Sequence, residues 1–316
     1  MRKFIAAVFA VAFMAAAALA QSQQAPTLRI VSEDGNRLPS ELVYGNTKVK
    51  PLRLRPGTNT PITIDDSDFF VQQHYVDFLS RFPDQSGFAF WQKEINDCGI
   101  DAICREVKRI NVSAAFFLSI EFKETGLFVY KTYKAAFGNL QGKPVPVRRE
   151  TFMPEARAIS NGVVVGPDTG WQGVLENNKN AYVLAFVQRG DFQSAYPAGM
   201  TAAQFVDKLF TNAGVTPTAG ERDAALAAFG SGNASGRAAA LRSVAESQSL
   251  HQAEINKAFV LMEYFGYLKR NPDDLPDGDF KGYSFWLSKL DEFHGNFVQA
   301  EMVKAFISST EYRTRF

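Results

Sequence analysis

Four aspartates within seven residues, Asp273, Asp274, Asp277 and Asp279, form the densest acidic cluster of the sequence. Carboxylates so close repel one another unless water or a cation screens them. Calcium suits such a set, because it is a hard ion that takes several oxygens. The spacing is not that of an EF-hand. With Gly278 at the sixth loop position, Leu275 falls at the third and Ser284 at the twelfth, where an acid or amide and a bidentate Glu belong. Two readings stand: a solvated acidic loop whose Asp279 caps the next helix, which is preferred, and a weak calcium site formed by Asp273, Asp277 and Asp279. No other cofactor is expected.

The remaining reactive residues are few. Cys98 and Cys104 are the two cysteines, close in sequence and without a nearby His or third Cys, so a disulfide is preferred over free thiols or a metal pair. His74, His251 and His294 fall in no zinc-protease spacing. His74 sits on the apolar face of a helical pattern and reads as a core or boundary histidine. No Gly-x-Ser-x-Gly elbow is present. The glycine-rich run Gly230–Gly236 follows a helical pattern, not a strand, and lacks the Gly-Lys-Ser/Thr of a phosphate loop. Arg81 and Arg270 each precede a Pro-Asp pair by two residues. They read as clamps on the turn in preference to an anion site. Trp91 and Trp286 read as core anchors in preference to sugar platforms. No catalytic residue is assigned, and a non-enzyme is expected; the alternative is a secreted hydrolase-type enzyme with an unrecognised site.

The elements that must position these residues come in two kinds. Residues 1–20 have the form of a signal peptide: Arg2 and Lys3, an apolar run, then Ala18-Leu19-Ala20, which predicts cleavage near Ala20. Its removal leaves 32 basic against 33 acidic residues. That balance argues against a nucleic-acid partner, and no later stretch is apolar enough to span a bilayer. The expected location is secreted, periplasmic or at the cell envelope. Residues 21–66 read as a β-rich N-terminal segment, with strands at Leu28–Val31, Val49–Arg55 and Pro61–Ile64. It is too small for a core of its own and should dock on the helices.

From Asp65 the pattern becomes helical. Phe70, Val71, His74, Tyr75, Phe78 and Leu79 share one face, Pro83 stops the helix, and Asp84 caps the next, which carries Phe88, Trp91 and Ile95. Asp101 caps a helix to about Ile110, and Ser113 opens a short one to Leu118. The frame then recurs: Tyr, three residues, Leu-x-Arg-x-Pro-Asp, later Gly-x-x-Phe-Trp, stands at Tyr75–Trp91 and again at Tyr264–Trp286. A closing Ser-x-acid start recurs with it. The fold class is therefore mainly α: about four helical repeat units, at 68–122, 127–192, 203–250 and 255–312, after the β-rich segment. Units one and two occupy 67–195, and units three and four 196–316. In unit three, Thr218 and Glu221 have capping-box spacing.

Tyr75, Leu79, Arg81, Pro83, Asp84, Gly87 and Trp91, closed by Ser119, Glu121 and Phe122, resemble the domain of unknown function 4214. That is a helical family of exported bacterial proteins, similar in turn to phycobilisome linker domains. Tyr264, Leu268, Arg270, Pro272, Asp273, Gly282, Trp286, Glu311 and Tyr312 repeat the match. The resemblance covers units one and four well and units two and three weakly. It implies a binding or assembly module without established catalysis, whose partner is a protein or an envelope polymer.

Overall fold

The computed structural model describes residues 53–166 and 169–316 in full, and the backbone alone at Leu28–Val31, Glu41–Tyr44 and Thr47–Val49. The expected leader, residues 1–20, lies outside the described residues. The molecule is mainly helical. Among the described residues, three short strands, β1 (Leu28–Val31), β2 (Glu41–Tyr44) and β3 (Thr47–Val49), pair antiparallel in that order. Farther along, an isolated bridge joins Leu54 to Pro61, where the sequence pattern suggests the end of one strand and the start of another.

Residues 53–66 lie on the first helix, α1 (Ser67–Leu79). The Arg55 guanidinium donates to Asp68 at 2.8 Å, Arg53 lies over the Phe69 ring, and Ile64 is buried. The six α1 residues expected on one face are all buried. Ser80 ends the helix in the left-handed conformation, where the chain turns toward Pro83. Helix α2 (Gln85–Asn96) starts as expected, with the Asp84 carboxylate accepting from the Gly87 N–H at 2.8 Å. Helix α3 (Ala102–Leu118) is capped by Asp101.

Contrary to the sequence pattern, α3 does not break at Ser113. No Gly or Pro interrupts residues 102–118, and the Ser113 side chain is drawn into a buried contact with His74 instead of capping a new start. The closing turn does form where expected: Ser119 accepts from the Phe122 N–H and opens α4 (Ile120–Glu124).

Helix α5 (Gly126–Phe137) is followed by α6 (Arg149–Ser160), α7 (Trp171–Phe186) and α8 (Gly190–Ala195). Helix α9 (Ala202–Ala213) has a Thr201–Gln204 capping box, and α10 (Ala219–Phe229) the expected Thr218–Glu221 box. Asn233 and Ser247 cap α11 (Ala234–Ala245) and α12 (Gln248–Glu263). Helix α12 widens into a π-helical turn at Tyr264–Leu268. Last come α13 (Lys281–Glu292), α14 (Met302–Ser308) and α15 (Thr310–Arg313).

The first and last segments pack on each other. Helix α1 meets the π turn, and α3 meets α14. Gly266 allows this approach: a Cβ there would stand 2.6 Å from the Phe78 ring. The closing residues reach back as well. Arg313 donates to Asp65 at 2.9 Å, Arg315 donates to Asp77 at 2.9 Å, and Phe316 packs edge-on against Phe69.

Candidate functional site

The recurring frame builds one constellation twice. Arg81 donates to Glu121 through Nε and Nη2, at 2.8 and 2.7 Å, and Arg270 donates to Glu311 in the same way, at 2.6 and 3.0 Å. Each arginine also donates to turn carbonyls, Arg81 to Phe82 and Arg270 to Asn271 and Pro272. Each guanidinium lies over the ring of the frame tyrosine, Tyr75 or Tyr264, at 4.9 and 5.3 Å. A planar two-point donor suits this geometry, which a lysine would lose. The arginines are thus turn clamps that tie the frame to its closing Ser-x-Glu. Burial, Asp84 and Glu121 push the Tyr75 hydroxyl up to about 12, against the opposing charge of Arg81.

The tryptophans differ from expectation. Trp91 and Trp286 are half-buried and rest against the core. Their equivalent packing holds: Trp91 faces Phe116 and the exposed Phe90, and Trp286 faces Phe306 and the exposed Phe285. In the first turn of each helix a glycine, Gly87 or Gly282, leaves room for the hydroxyl of the frame tyrosine, which a Cβ would meet.

The acidic loop is exposed in large part, as in the preferred reading, and its carboxylates are paired with cations. Lys143 and Arg148 both bind Asp273, and Arg148 also reaches Asp274 at 2.7 Å. Arg270 takes Asp277 at 2.9 Å, and Lys281 takes Asp279 at 2.7 Å. Asp273, Asp277 and Asp279 therefore point to different cations. Among the described residues no three His, Cys, Asp or Glu side chains converge. Burial would raise the Asp273 carboxyl, but hydrogen bonds from Lys143 and Arg148 outweigh it and hold it below its usual range. Asp279 accepts from the Lys281 N–H at 2.9 Å, close to the capping role expected of it, although Phe280 occupies the cap position.

Cys98 and Cys104 lie at disulfide distance, with Cα atoms 5.6 Å apart, and join the end of α2 to the start of α3. This tip is apolar outside: Ile100 is fully exposed, Ile103 is 80% exposed, and Val107 is half-exposed one turn along α3.

A buried polar chain is not visible in the sequence pattern. His74 donates from Nδ1 to the Phe70 carbonyl at 2.7 Å, because a carbonyl can only accept. Its Nε2 therefore accepts from Ser113 Oγ at 2.6 Å, and Ser113 accepts from the Tyr267 hydroxyl. Burial pulls His74 down to about 4. This is a Ser–His pair of the spacing a nucleophile would need, but both residues are buried, and the histidine's second nitrogen is held by backbone, not by an acid. Beside it, Asp77 accepts from Arg315 and pairs with Lys269 at 2.8 Å. Burial opposes its ionisation, but the charges of Arg315 and Lys269 outweigh it and hold the carboxyl far below its usual range. Glu263, at the frame position equivalent to His74, is buried with Oε2 unpartnered, and burial pushes it well above the carboxylate range. His251 is half-buried, and His294 is exposed on a left-handed turn.

No described helix is long and apolar enough to cross a membrane. Comparison with known proteins finds no family model, no curated protein and no solved structure that matches the chain.

Proposed function

We propose that this is an exported helical repeat protein of about four units that acts as a binding or assembly module at the cell envelope or outside the cell. The observation that carries the reading is the apolar tip of the α2–α3 hairpin. Ile100, Ile103 and Val107 face solvent from a turn held by the Cys98–Cys104 pair and by the Asp101 cap. A rigid apolar projection loses little conformational freedom on binding, which favours a protein partner with a hydrophobic groove over a sugar polymer. The cysteine pair is compatible with an oxidising compartment, and with it the proposed signal peptide. The matched clamps at Arg81 and Arg270 support membership in the domain of unknown function 4214 family. The docking of residues 53–66 on α1 supports a β-rich segment that leans on the helices. The sealing of Ser113 and His74 favours a binding module over a hydrolase.

A photo-crosslinking residue at position 103, with a control at Asp223 on the exposed face of α10, tests the reading. A single defined protein adduct from position 103, absent at 223 and lost in Ile100→Glu, is expected. The same adducts from both positions, or none, would overturn it.

A further inference from the structure

A second surface lies away from the apolar tip, where α4, α5, α7 and the start of α12 meet around a cavity of about 250 Å³. Its lining is unusually basic. Lys123 comes from α4, Lys131 from α5, Lys179 from α7 and His251 from α12, with Glu124 and Glu246 as the acids. The acids are already engaged. Lys179, almost wholly buried, holds both of them, Glu246 at 2.9 Å, and Arg242 donates to Glu246 as well, at 3.0 Å. Lys131 is left over. It is only 7% exposed, and its ammonium makes no hydrogen bond or ion pair with the described residues. Its stem is buried, but its ammonium is not among the fully enclosed unpartnered atoms, so it opens on the cavity and is free to meet a ligand there.

We propose that this cavity binds a small oxyanion, held by Lys131 from within and by Lys123 and His251 at the mouth. Three lysines face two carboxylates, so one positive charge remains uncompensated even with His251 neutral. The volume is below the range of drug-sized ligands, roughly 300–1,000 Å³, and suits a phosphate or a short carboxylate. Two titrating neighbours carry the imprint of the missing charge. Burial pulls Lys131 down to about 8; Glu246 and Glu124 offset this in part, and Lys179 adds to it. His251 is lowered by burial, then by Lys131 and Lys123, with Glu124 opposing. A bound anion reverses both effects. The site is independent of the α2–α3 surface.

The test is an NMR titration of the His251 ring in the full chain, with inorganic phosphate in one arm and acetate in the other, at ionic strength held constant with sodium chloride. A saturable rise of the His251 pKa in either arm is expected, and the tighter arm identifies a phosphate-like or a carboxylate ligand. In Lys131→Met the affinity should fall on the order of tenfold or more, since a charge-assisted contact is lost. Without anion, that variant's His251 should titrate higher than in the parent protein. Should Lys131→Met fail to fold, Lys123→Gln serves at the mouth, with a smaller loss expected. No saturable response of the parent protein to either anion, or an unchanged response in the lysine variants, would overturn the proposal.

Discussion

Replacing Gly87 by alanine sets two effects against each other. Alanine favours a helix over glycine by about 1 kcal/mol in the interior and by less near the start, where Gly87 stands. Against this, the new Cβ would land on the Tyr75 hydroxyl and lie 3.1 Å from the Asp84 carboxylate. Tyr75 cannot swing aside. Its ring is 4% exposed, packs edge-on against Phe116 at 4.8 Å, and carries the Arg81 guanidinium on its face. Overpacking of this kind costs about 1–3 kcal/mol. The net expectation for Gly87→Ala is therefore a loss of about 1–2 kcal/mol. In a Tyr75→Phe background the obstructing oxygen is gone, and the same substitution should become neutral or mildly stabilising. Urea unfolding of the four members of this double-mutant cycle measures the coupling. Gly282→Ala with Tyr264→Phe repeats the cycle at the equivalent position. There the Cβ-to-hydroxyl separation is 2.6 Å and no carboxylate comes as near, so the effect should have the same sign and be smaller. Equal effects of Gly87→Ala with and without the tyrosine hydroxyl would refute the argument.

Other expectations rest on the buried groups. Because His74 is lowered to about 4 from an ordinary value near 6.5, the unfolded chain binds its proton first; the stability it contributes is complete above about pH 6.5 and falls by about 3 kcal/mol as pH drops toward 4. Thermal melts of His74→Gln should lack that part of the acid limb. Asp77, held below its usual range, contributes stability that is lost only below about pH 4, and Asp77→Asn should cost about 3–5 kcal/mol at neutral pH by stranding Arg315 and Lys269. Glu263 has the opposite sign: its raised value costs stability as pH climbs above the unfolded carboxylate range, so Glu263→Gln should equal or exceed the parent protein in a melt at pH 8. Opening the Cys98–Cys104 pair should cost about 2 kcal/mol by the chain-entropy argument for a short loop, read as a fall in Tm with reductant.

Local signals in the sequence carry well into the structure. The Thr218–Glu221 box, the Asp84 and Asp101 caps and the Ser119 start each depend on residues within three positions, and all form. The two arginine clamps are half legible. Arg-x-Pro-Asp and Ser-x-Glu recur together, and that joint recurrence is the signal that Arg81 and Arg270 bind Glu121 and Glu311. The acidic loop is legible only in part: Arg270 and Lys281, which take Asp277 and Asp279, stand close by, but Lys143 and Arg148, which take Asp273, come from 130 and 125 residues away. The His74–Ser113–Tyr267 chain is hidden for the same reason, with its last link 154 residues apart. Lys131 looks like an ordinary helix-surface lysine, since nothing in its neighbours' types reveals that α7 and α12 cover it.

The return of Arg313 and Arg315 to Asp65 and Asp77 links residues 248 and 238 positions apart. An open stack of helical units can begin to form from either end while the rest of the chain is still being made. Here α1 packs first on α2 and α3 but finds part of its cover far along the sequence: His74 and Phe78 meet Tyr267 of the π turn, and Asp65 and Asp77 take Arg313 and Arg315. Such distant pairings slow folding and prolong the exposure of unsatisfied apolar surface. Removing residues 313–316 should therefore damage folding yield more than their small contribution to the core would suggest, since the buried Asp77 then keeps Lys269 alone.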